Sequence, residues 1–78
     1  MPSHTNLDSL QLGNNKKPLE FIFISTKVIN KELLFVIETC EYNEKTMENN
    51  YGESVTKDIK SFTKLMTKLK KEGWTILP

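Results

Sequence analysis

Seventy-eight residues, 37% hydrophobic and 27% charged, with a formal net charge of +1, set a ceiling of one domain and exclude wholesale disorder. A single cysteine and a single histidine exclude an intramolecular disulfide and a transition-metal site built from several Cys and His ligands. The longest apolar run, Leu33 to Ile37, falls far short of the about 20 residues a membrane span needs, and no basic region followed by an apolar stretch opens the chain; the expectation is a cytoplasmic protein without membrane contact.

Residues 1–17 carry Pro2, Ser3, Asn6, Ser9, Gly13 and the cluster Asn14-Asn15-Lys16-Lys17, with no sustained periodicity. They read as a disordered tail ahead of a single α+β domain over residues 18–78. Leu7, Leu10 and Leu12 are suited to docking on a surface or to serving as a short linear motif, though a frayed terminus is the commoner case.

Leu19 to Ile29 and Glu32 to Tyr42 are dense in β-branched and aromatic residues, with Asn30-Lys31 between them. That pattern predicts a β-hairpin. Lys31 stands where Gly would make the turn signal strong, and a two-residue loop sets Glu20 opposite Glu41, an unfavourable pair. Side chains alternate across a strand, so Ile22, Ile24 and Val28 share one face while Leu19, Phe21 and Phe23 share the other. The second strand repeats this, with Leu33, Phe35 and Ile37 on one side and Leu34, Val36, Cys40 and Tyr42 on the other. Both faces are apolar, and one helix covers only one of them.

Asn43 to Glu53 holds Asn49-Asn50, Gly52 and several acids, and reads as a long acidic connector. From about Ser54 or Thr56 to Glu72 the period becomes helical, with Ile59, Phe62, Leu65, Met66 and Leu69 on one side at roughly 100° per residue. Asp58 suits the positive N-terminal end, and Lys68, Lys70 and Lys71 suit the negative C-terminal end. Gly73 supplies the left-handed residue that stops the helix, setting Trp74 against Leu69. Thr75, Ile76 and Leu77 then form a short last strand. The predicted architecture is a ββαβ unit, a three-stranded antiparallel sheet of order 3-1-2 with the helix on one face.

The chemistry of catalysis is sparse. His4 lies in the predicted tail, far in sequence from Cys40, so no base is at hand for the thiol, which reads as a small hydrophobe on a strand. The acids Glu38, Glu41, Glu44 and Glu48 do not follow the pattern of an ordered calcium loop and read as a solvated face. Gly13, Gly52 and Gly73 form no phosphate-cradling loop. The expectation is a non-enzyme with no metal and no cofactor.

Two binding readings remain. Glu32 to Glu53 holds six acids against Lys45 alone, whereas Ser54 to Pro78 holds six lysines against Asp58 and Glu72. Lys57, Lys60, Lys64, Lys68 and Lys71 form a stripe opposite the helix's apolar side, suited to tracking phosphates or to keeping the helix solvated. No arginine is present, and arginine makes the bidentate phosphate and guanine contacts, so nucleic-acid binding through these lysines is the second reading. The first is a small protein-interaction or regulatory module, with a protein partner or a second copy covering the free sheet face. Trp74 and the three strand phenylalanines are read as cap and core.

Overall fold

The computed structural model describes residues 9–78; residues 1–8, which include His4 and Leu7, lie outside the described residues. Five strands and one helix follow in the order β1 (Leu10–Asn14), β2 (Lys17–Ile29), β3 (Glu32–Asn43), β4 (Glu48–Lys57), α1 (Ile59–Lys71) and β5 (Trp74–Ile76). The strands make one sheet of order β4-β3-β2-β1-β5, in which every neighbouring pair is antiparallel.

The α+β class and the single helix agree with the sequence reading, but the three-stranded sheet of order 3-1-2 does not. Two segments without a strand signature pair into the sheet. Leu10–Asn14, read as part of the tail, forms β1 and lies between β2 and β5, so the last strand is not beside the hairpin. Glu48–Lys57, read mostly as connector, forms β4 along the free edge of β3.

The central hairpin is set by its turn. Asn30 and Lys31 both take positive φ, 51° and 66°, the combination whose twist matches that of two-residue hairpins. The resulting register does place Glu20 opposite Glu41. At the other end of β3 a four-residue turn is tied by the Asn43 side chain, whose Oδ1 accepts from the amides of Lys45 (2.9 Å) and Thr46 (3.3 Å). The Met47 amide closes the turn on the Asn43 carbonyl at 2.7 Å. Beyond it, Gly52 and Glu53 together oppose Thr39 in a bulge. A Cβ at position 52 would collide with the Thr39 hydroxyl unless that side chain turned aside, so glycine suits the close approach.

Residues 54–57 are strand, not helix, because they still pair with Phe35 to Glu38. The helix opens only after Asp58, whose backbone is extended and whose Oδ1 accepts from the Ser61 amide at 2.9 Å. It closes at Glu72 and Gly73, the latter at φ 98°. Asn14 fixes that end to the sheet: buried, it donates from Nδ2 to the Glu72 carbonyl (3.0 Å) and accepts from the Lys16 amide (2.9 Å). Trp74 packs against the same core cluster that contains Leu69.

The core lies between the helix and one sheet face. Leu12, Ile22, Ile24, Ile37 and Leu69 are buried, and Phe35, Phe62, Leu65 and Met66 pack around them. Each fully buried aliphatic side chain contributes about 1.5–3 kcal/mol, so this short roster makes a thin core. Ile59, expected on the buried side, is exposed at the helix start.

Candidate functional site

Residues directly opposite one another in antiparallel strands share a face. The registers therefore put Phe21, Cys40 and Tyr51 in one row, and Phe23, Glu38 and Ser54 in the next, on the side away from Ile22, Ile24 and Ile37. The helix covers the Ile22 side, as the core cluster shows. No second helix exists among the described residues to cover the other.

Two aromatic side chains of this second face, on β2 and β4, approach each other across β3. The rings of Phe23 and Tyr51 are tilted at 42°, with centroids 6.4 Å apart, and Tyr51 remains 58% exposed. Cys40 is buried in the row between Phe21 and Tyr51. Burial pushes its thiol pKa up, and the carboxylate of Glu38, on the same face of β3, adds to the shift. Such a thiol stays protonated and is a poor nucleophile. Gly13 is bare on this face, and the Leu77 side chain lies over it, with atoms 3.0–3.3 Å from where a Cβ would stand. Among the described residues no three His, Cys, Asp or Glu side chains gather into a group that could hold a metal ion.

Tyr51 was not legible as part of this face because it sits among Asn49, Asn50 and Gly52, where no alternation shows. Its one signal was a lone aromatic ring in an otherwise acidic and amidic stretch.

The lysines divide. Lys60, Lys64, Lys68 and Lys71 are exposed along α1, on successive turns of the helix. Lys57 is not on the helix; it ends β4, half-buried and opposite Phe35. The five-lysine helical stripe is thereby a row of four. Asp58, next to the row, has its carboxyl pKa lowered by hydrogen bonding to Ser61 first and by Lys60 and Lys57 to a lesser degree.

No described helix is long and apolar enough to cross a membrane. No family model, no curated protein and no solved structure matches the chain.

Proposed function

We propose that the chain is a non-catalytic protein-interaction module that works as a homodimer, two copies packing through the sheet faces that carry Phe21, Phe23, Val36 and Tyr51. The observation that carries this reading is an aromatic and aliphatic sheet face opposite the only helix of the described residues. Strands spaced about 4.8 Å apart make a five-stranded face roughly 24 Å wide, and four rows of side chains give about the same length. Two such footprints together bury on the order of 1,000 Å², the threshold at which specific interfaces begin. Sheets packed in this way stand about 10 Å apart with their strands roughly aligned.

Glu38 stands inside this face, level with Phe23 and between Cys40 and Val36 along β3. Its carboxylate is costly to bury without a partner, so the contact centres on the Phe21–Cys40–Tyr51 row and must keep water or a lysine of the second copy beside Glu38.

Sedimentation equilibrium over a wide concentration range tests the reading. The expected result is a dimer that Phe23→Lys converts to a monomer with an unchanged circular dichroism spectrum. A monomer at every concentration with no binding of an apolar dye would sink it. Recovery of nuclease-sensitive nucleic acid with the protein, lost at high salt, would transfer the function to Lys60, Lys64, Lys68 and Lys71 instead.

A further inference from the structure

Among the described residues the sheet has two unpaired edges, and they are built differently. β4 carries the bulge at Gly52 and Glu53 and the acids Glu48 and Glu53 along its length, both of them devices that discourage another strand from pairing there. β5 has neither. Its three residues, Trp74, Thr75 and Ile76, include no charge, no proline and no bulge against β1.

The polarity of that edge follows from one hydrogen bond. The Leu77 amide donates to the Gln11 carbonyl at 2.8 Å. Backbone groups alternate in direction along an antiparallel ladder, so Leu77 and Thr75 turn theirs toward β1. Trp74 and Ile76 then turn their N–H and C=O groups outward, off the edge. The same two residues, registered against Asn14 and Leu12, direct their side chains to the helix face.

There they meet a cavity of about 490 Å³, bounded by Leu12 on the floor and by Met66, Leu69 and Lys70 of the helix. Ile76 is 59% exposed beside it. Thr63 and Thr67 also border the cavity, but their hydroxyls already donate to the carbonyls of Ile59 (2.8 Å) and Thr63 (3.0 Å). The wall they present asks for no polar partner. Lys70 is the one charged residue lining the cavity among the described residues, and Lys68 and Lys71 stand in the same last turn.

We propose that β5 accepts an extended peptide from another protein as a sixth strand, pairing with the outward groups of Trp74 and Ile76. Every second side chain of the peptide, apolar, enters the cavity beneath the helix, and an acidic residue flanking it meets Lys70. The backbone supplies the pairing and the cavity supplies the selectivity, as in other strand-addition sites. This surface is distinct from the aromatic sheet face and does not depend on dimerisation through it.

The test is selection of peptides of about twelve random residues on the full-length protein, followed by titration of the winners using the fluorescence of Trp74, the only tryptophan. The expected winners alternate apolar and polar residues and carry Asp or Glu, and they shift Trp74 emission to the blue. Lys70→Glu should weaken them roughly tenfold and improve variants whose acids are changed to lysine. Ile76→Pro, which removes one outward N–H and leaves the β1-facing groups in place, should abolish binding. Phe23→Lys should leave it unchanged, which separates this site from the dimer face. The idea is overturned by winners without alternation, by no enrichment, by indifference to Lys70→Glu, or by a dimer that Ile76→Pro dissolves, which would make a second copy the occupant.

Discussion

The ring of Phe35, in the first third of β3, lies flat on the ring of Phe62 from the helix, with centroids 3.9 Å apart and planes within 2° of parallel. In so thin a core this stack is a main tie between the two layers. Phe62→Ala should lower the unfolding free energy by about 2–3 kcal/mol, against a total of roughly 4–12 kcal/mol for a chain of this length. Urea unfolding followed by circular dichroism checks it; a loss below about 0.5 kcal/mol would show that the helix is held elsewhere.

Lys31 holds a left-handed conformation that glycine adopts without steric cost. Lys31→Gly should therefore stabilise the protein, by about 0.5–1 kcal/mol, with Asn30 retained to complete the favoured turn pair. Thermal unfolding of the two proteins side by side decides it. A lower midpoint in the glycine variant would mean that Lys31 makes a contact worth more than its backbone strain.

Asp58 titrates below its ordinary 3.8 in the folded protein, chiefly because Ser61 donates to its ionised form. A carboxyl with a depressed folded pKa adds stability that is present above its unfolded pKa and is lost as the pH falls through the folded value. The melting temperature should thus fall more steeply between pH 5 and pH 2 for the natural protein than for Asp58→Asn, which keeps a capping oxygen but cannot titrate. Parallel slopes for the two proteins over that range would remove Asp58 from the acid response.

Cys40 should behave as a protected thiol. Its pKa is raised above 9.0 by burial first and by Glu38 second, so iodoacetamide at pH 8 should modify the native protein at least about tenfold more slowly than the urea-unfolded chain. Stability should also decline as the pH rises past 9.0, where the unfolded thiol ionises ahead of the folded one. Equal labelling rates in the two states would place Cys40 in water.

The parts legible in the sequence are those whose side chains face two different surroundings. Along β2 and β3 one set of side chains packs under the helix and the other does not, so residues such as Ile22 and Phe23 alternate visibly; the helix likewise shows Phe62, Leu65 and Leu69 against its lysines. β4 was not legible because it is an edge strand with nearly every side chain exposed. Its existence rests on backbone pairing with β3, which leaves no trace in residue type. β1 failed for another reason: five residues containing Gly13 and Asn14 are too few for a period to show, although Leu12 is the most deeply buried large side chain among the described residues. The same blindness affected the site, since Tyr51 arrives on the open face through β4, and Lys57 left the helical row because β4 claimed it.

The pairing of β1 with β5 brings Leu12 against Ile76, joining segments at opposite ends of the described chain. The four-strand meander can form from neighbours alone, but the sheet's last hydrogen bonds close a loop that spans nearly the whole domain, an ordering cost that comes before any reward. Refolding should therefore be paced by this long-range closure, with the central hairpin formed early and the β5 edge assembled last.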